Sequence, residues 1–296
     1  MKRVVRFDAD PVILIQARRL SRPKRIRRLP RPLKPLYPHA AERQYIRDLS
    51  AYVKRAREIT REILLPFLPR LIAEVKSVTP NRVRQDDMID DLAEILERIR
   101  AQLGFEFSDS ILATIANRLG VSIEDIIAAN ARRLRDQYQP FGINIGFGAN
   151  SNELRSILQI KIRENIQLIR TLSDRHFSSL ESQVLSAITQ GKRVEDIEAA
   201  IDERFSSMEA NAELIARDQV GKINGQLTEI THVGLGLNRY RWRGVGDERE
   251  RSSHLKLEGE TFSWDDPPIV DGEAVHPGEA IQCRCFAEPV MEDLLA

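Results

Sequence analysis

Apolar residues recur at steps of three and four along most of this chain, the spacing of a single buried helical face. Tyr45, Leu49, Tyr52, Val53, Ala56 and Ile59 make the first stripe, within a helical stretch from Ala41 to Val78. Pro66 and Pro69 fall inside that stretch and predict a kink or interruption, because proline lacks the amide a helix interior needs. Arg84–Leu103 predicts a second helix, with Leu92, Ile95, Leu96 and Ile99 on one face and Gly104 as its stop. Ser108–Leu119 and Ser122–Tyr138 predict two more, each opened by a serine and separated by Gly120. Ser151 opens a strongly periodic helix carrying Leu158, Ile162, Ile166 and Ile169, which Phe177–Gln190 continues to a stop at Gly191. Val194–Arg204 predicts a short helix, and Glu209–His232 a long one that ends at Gly234-Leu235-Gly236.

After Gly236 the period changes from helical to alternating. Tyr240-Arg241-Trp242-Arg243 alternates aromatic and basic residues, as a strand with one buried face does. Short strands are also expected at Glu260–Trp264 and Cys285–Val290, with Pro- and Gly-rich ordered loops between them. Pro140–Asn150 is the clearest internal boundary. It holds three glycines, but no Lys-Ser/Thr pair follows, so it reads as a linker or short strand and not as a phosphate loop. The expected fold is mainly α, with a small α+β C-terminal module and an extended N-terminal arm. The expected division is a Pro-rich arm over 1–43, a helical domain over 44–140, and a last domain over 150–296, with helices to 232 and a short-strand module over 233–296.

Charge sharpens that division. The chain is 296 residues long with a formal net charge of +1, yet residues 1–43 hold 13 Lys/Arg against three acidic residues, so the remainder is acidic. The arm carries Arg18, Arg19, Arg22, Lys24, Arg25, Arg27, Arg28, Arg31 and Lys34, and prolines at 23, 30, 32, 35 and 38 forbid a long helix there. Such an arm suits DNA phosphates or an acidic protein groove. No apolar run approaches the length of a membrane span. The N-terminus lacks the apolar core of a signal peptide, and two cysteines two apart do not staple a secreted fold, so a reducing cytoplasm is expected.

The candidate chemistry lies in the C-terminal module. In Cys283-Arg284-Cys285 an extended backbone puts both sulfurs on one face, with Cα atoms about 6.5–7 Å apart, at the long edge of disulfide geometry. With His254 and His276 the cysteines offer four ligands of the kinds zinc takes, with Asp247 as an alternative to either histidine. The competing reading is of small buried hydrophobes. Asp247, Arg249, Arg251 and His254 also admit an active-site reading with His254 as general base. A salt-bridge network explains the same cluster without a nucleophile or second base, so no catalytic residue is assigned.

The order Glu164-Asn165-Ile166-Gln167-Leu168-Ile169, Ile215-Ala216-Arg217-Asp218-Gln219, Tyr240-x-Trp242, Asp247-x-Arg249-x-Arg251-x-x-His254, Gly259-x-x-Phe262-x-Trp264, Pro267-Pro268, Pro277-Gly278 and Cys283-Arg284-Cys285 resembles the phage Mu F-like minor head, or head morphogenesis, proteins. The resemblance spans roughly residues 150–290. It implies a non-enzymatic component of a tailed-phage virion, made in the bacterial cytoplasm and associated with the portal or the major capsid protein at the inner shell. Roles in head assembly, DNA packaging or ejection follow from it, with packaged double-stranded DNA as a further partner. It does not decide whether the Cys/His residues hold zinc. The alternative reading is a metal-dependent hydrolase or nuclease using the Cys/His cluster. A nucleic-acid-binding regulator would need a distinctly basic recognition helix, and none lies between 84 and 232.

Overall fold

The computed structural model describes residues 29–76, 82–143, 145, 151–248 and 250–295. The chain is mainly α with a small antiparallel β module near its C-terminus, the expected class. It forms two compact units, one of residues 38–123 and 158–220, the other of residues 1–37, 124–157 and 221–296. The segment 140–150 falls inside the second of these.

The first unit is built only of helices. Helix α1 (His39–Leu64) buries the stripe from Tyr45 to Ile59 and ends where Pro66 enters a single 3-10 turn, Leu65–Phe67. Helix α2 (Leu68–Lys76) restarts with Pro69 in its first turn, where the missing amide costs nothing. Helix α3 (Arg82–Glu106) buries Leu92, Ile95, Leu96 and Ile99, and the expected Gly104 stop lies two residues before its end. Arg55 of α1 donates two hydrogen bonds to Glu106, at 2.7 and 2.8 Å, tying the end of α3 to α1. Inside the unit, Tyr45 donates from its hydroxyl to Asn165 Oδ1 at 2.9 Å, satisfying two buried polar groups with one bond.

Two pairs of expected helices are each continuous. Helix α4 (Asp109–Tyr138) runs through Gly120, and helix α6 (Val194–Gly234) runs through 205–208. A β-carbon on Gly120 would come within 3.3 Å of Leu158 Cδ2, so the glycine serves close helix packing and not termination. In α6, Phe205 and Met208 extend the buried stripe of Ile197 and Ile201, which the sequence reading broke too early. Helix α5 (Ser151–Thr189) spans the two apolar stretches expected to join, and Gly191 follows it with φ +71°.

In the second unit, residues 29–37 are extended and lie along the C-terminal half of α4. Asn130 donates to the Leu36 carbonyl (2.9 Å) and accepts from its amide (2.7 Å); Gln137 treats the Arg31 carbonyl and Leu33 amide alike. These amide side chains take the place of a pairing strand, which a Pro-rich segment cannot supply. Strand β1 (Arg239–Arg243) sits between β2 (Thr261–Ser263) and β5 (Phe286–Pro289), antiparallel to both. Its alternation places Tyr240 and Trp242 in the core, both 0% exposed. A four-residue helix, α7 (Ser252–Leu255), lies between β1 and β2. Strands β3 (Ile269–Val270) and β4 (Glu273–Ala274) form a hairpin where an irregular loop was expected. Its turn is Asp271-Gly272, with φ +53° and +89°, the two positive values that an Asp-Gly hairpin turn requires. Among the described residues no helix is long and apolar enough to cross a membrane.

Candidate metal centre in the C-terminal module

The core of the module is aromatic and sulfur-bearing. Tyr240, Trp242, Trp264, Val270, Val275, Cys283, Cys285 and Ala287 pack together, with Phe262 partly buried against them. Trp242 meets the His254 ring edge to face, with centroids 5.5 Å apart.

His254, in the short helix α7, is 2% exposed and turns its Nδ1 to both sulfurs, 3.3 Å from Cys285 Sγ and 3.5 Å from Cys283 Sγ. Both cysteines are buried free thiols. The chain turns into them at Gln282, whose φ is +55°, after a Cys283 amide to Ala280 carbonyl bond of 2.9 Å. Two backbone amides, of Gly278 and Cys285, each point at Cys283 Sγ from 3.4 Å. The Cys285 thiol donating to it, these amides and His254 draw the Cys283 thiol well below the ordinary range, against the opposing effect of burial. Cys285 is pushed the other way, by its bond to Cys283 and by burial. A carboxylate approaches one of the two sulfurs. Glu250 Oε1 lies 3.7 Å from Cys285 Sγ, while its Oε2 accepts the Gly246 amide at 2.7 Å.

The expected ligand His276 is elsewhere. It is 8% exposed, its Nδ1 is 2.9 Å from the Tyr240 hydroxyl, and its ring packs on Trp264. Burial lowers its pKa first, with Glu279 opposing. His254, Cys283 and Cys285 form the one His/Cys/Asp/Glu group of suitable geometry among the described residues, with ligand atoms all within 4.8 Å. Asp247 is not in that group either. It accepts from both terminal nitrogens of Arg284, the residue between the two cysteines.

The remaining motif residues are architectural. Arg251 donates to the Ile281 carbonyl at 2.7 Å, so Asp247 and Arg251 clamp the 247–254 loop to the segment entering the cysteines. Arg249 lies outside the described residues. Gly259 holds φ +83° where its amide bonds the Trp242 carbonyl at 2.8 Å. Trp264 stacks with Tyr240, centroids 4.4 Å apart. Pro277 and Gly278 rest on helix α6: a β-carbon on Gly225 would approach the Pro277 carbonyl to 3.1 Å, and one on Gly278 the Gly221 carbonyl to 3.3 Å. The Gly221-x-x-x-Gly225 pair in α6, which the sequence reading passed over, is the floor on which this turn sits.

Of the arm cations, Arg31 and Lys34 are engaged within the unit. Arg31 Nε donates to Glu288 at 2.7 Å, and Lys34 Nζ stands 5.3 Å from the Phe286 ring centroid. Glu288, 4% exposed, also accepts two bonds from Arg243, at 3.0 and 3.2 Å, and Arg241 stands 3.9 Å away, so its buried charge is paired with three arginines. Arg18, Arg19, Arg22, Lys24, Arg25, Arg27 and Arg28 lie outside the described residues.

With this geometry in place, comparison with known proteins shows what part of the chain resembles. Residues 178–288 match the family described as Phage Mu protein F like protein, which takes in the end of α5, all of α6 and the module up to β5. That segment is similar to the phage Mu F-like family, the likeness that the motif order implied. An uncharacterized protein of Haemophilus influenzae is 34% identical over 129 residues, 44% of this chain and 28% of its own length. The chain thus matches less than a third of that relative. No solved structure matches.

Proposed function

We propose that this chain is a minor, capsid-associated head protein of a tailed bacteriophage. It acts in head morphogenesis at the portal or inner shell of the virion and is assembled in the cytoplasm of the bacterial host. The observation that carries this reading is the Mu F-like match over 178–288, which includes the aromatic and cysteine-bearing core of the module. The basic arm extends the reading to DNA packaging or ejection. Since Arg31 and Lys34 are engaged within the chain, the cationic contact falls to residues 1–28, with ten Lys/Arg against two acidic residues. Its partner is packaged DNA or an acidic surface of the portal or major capsid protein. A phosphate contact releases counterions, so affinity for duplex DNA falls steeply with salt and is lost on deleting residues 1–28; salt-insensitive binding contradicts the DNA version.

An in-frame deletion of the sequence encoding 178–288 in the phage or prophage that carries it tests the main claim. Defective or absent heads by electron microscopy are expected, and normal infectious heads would overturn the reading. The competing function, a hydrolase or nuclease, finds little support in the site, where His254 faces two thiols and is 2% exposed. A nicking activity of the full chain that His254→Ala abolishes would favour it instead.

A further inference from the structure

We infer that His254, Cys283 and Cys285 are the core of a structural zinc site that fastens the 247–254 loop to the end of the module, and that Glu250, which lies outside that three-residue group but 3.7 Å from Cys285 Sγ, closes on the ion as the fourth ligand. The zinc expectation drawn from sequence used His276, which the structure holds against Tyr240; the proposal puts Glu250 in its place. Zinc binds thiolate sulfur at about 2.3 Å and imidazole nitrogen or carboxylate oxygen at about 2.0–2.2 Å, so the edges of its tetrahedron run about 3.5–3.8 Å. The N···S distances of 3.3 and 3.5 Å and the O···S distance of 3.7 Å are three of the six edges at that size, and the rest form as Glu250 moves onto the ion.

The surroundings orient each donor. Glu250 is aimed by the Gly246 amide on its other oxygen, a carboxylate fixed from behind as metal ligands commonly are. Gly244 has no side chain because a β-carbon there would collide with the Glu250 carboxylate. The Asp247–Arg284 ion pair and the Arg251–Ile281 bond bring the loop carrying Glu250 and His254 onto Cys-Arg-Cys from two sides. Zinc takes cysteine as thiolate, so binding displaces the thiol protons, and the dication then offsets two thiolates and the Glu250 carboxylate beside a core of tryptophans, with the cysteines 8% exposed. Four protein donors leave no open position for water, so the role is structural.

The test uses the full chain, reduced and refolded or purified in the presence of zinc chloride, then cobalt chloride as a spectroscopic probe. One zinc per chain is expected to survive desalting. Cobalt should give thiolate charge-transfer absorption and the visible bands of a tetrahedral ion. Glu250→Gln should weaken zinc roughly 10-fold or more and change the visible bands, while His276→Ala leaves stoichiometry and spectrum as in the parent. Cys283→Ser, Cys285→Ser and His254→Ala should each abolish the tetrahedral spectrum. If those three fail to fold, the Glu250→Gln and His276→Ala pair still decides. No tetrahedral cobalt spectrum, with both thiols labelled as fast in zinc as in chelator, would overturn the site. Loss of metal in His276→Ala, or an unchanged spectrum and affinity in Glu250→Gln, would overturn the assignment of Glu250.

Discussion

The helical unit of residues 38–123 and 158–220 buries aliphatic stripes at helical spacing, with a few polar pairs such as Tyr45–Asn165 placed among them. The module from β1 to the C-terminus buries tryptophan, tyrosine, histidine and cysteine, and its loops hold shape through named ion pairs and positive-φ residues. A repeated helical stripe spreads specification over many interchangeable positions. Some fifty residues of short strands cannot do that, so each aromatic, glycine or charged pair carries a particular geometric duty. The two regions should therefore answer differently to the same kinds of change.

The largest expected effect is in the module. Trp242→Ala should destabilise by about 3–5 kcal/mol, because a wholly buried indole leaves a cavity and withdraws the ring against His254. Denaturant unfolding followed by Trp264 fluorescence measures it, and a cost below about 1 kcal/mol would mean the core is not organised on Trp242. In the helical unit, Leu96→Ala should cost about 2–5 kcal/mol, but the near-isosteric Leu96→Met under about 1.5 kcal/mol. If Leu96→Met proved as damaging as Leu96→Ala, the contrast in tolerance between the regions would fail.

Protonation sharpens the comparison on a smaller scale. Burial, aided by Arg204, lowers His176 to about 4, and burial alone lowers His232 to about 4. Both folded values lie below the ordinary 6.5, so their contribution is full above pH 6.5 and is lost as pH falls towards 4. One of these histidines belongs to each unit. Glu229, in the second unit, goes the other way: burial, then Glu279 and Asp265, raise it to about 7 from 4.5. Its contribution is full below pH 4.5 and is lost as pH rises through 7. Melting temperatures from pH 5 to 9 should show that alkaline loss, and Glu229→Gln should remove it; identical profiles would contradict the burial of this carboxyl.

The smallest effects come from two glycines inside helices. Gly104→Ala in α3 meets no atom within 4 Å and should stabilise by about 0.5–1 kcal/mol. Gly225→Ala in α6 gains the same helix preference but presses on the Pro277 carbonyl at 3.1 Å, so it should be neutral or destabilising. Equal stabilisation by both would show that the Pro277-Gly278 turn does not rest on α6.

The contrast also explains what could be read from the sequence. Periodicity alone placed α1, α3 and α5 and the alternation of β1, because each buries a regular face, but it broke α6 at 205–208. It cut α4 at Gly120, since a glycine serving close packing looks the same in sequence as one ending a helix. The β3–β4 hairpin was legible in Val270-Asp271-Gly272-Glu273 and was hidden by the neighbouring prolines. Of the four residues expected as zinc ligands, Cys283, Cys285 and His254 lie together, whereas His276, equally suitable by type, turns to the Tyr240 hydroxyl. Glu250 was obscured by its charged neighbours. Its four-residue spacing from His254 was the available signal, but the φ and turn geometry that aim it appear only in three dimensions.

Quantitative mass spectrometry of heads purified from the encoding phage, with and without their DNA, tests the central claim most directly. A low, fixed copy number retained in empty heads is the predicted result. Complete absence of the chain from both kinds of particle would contradict a minor head protein.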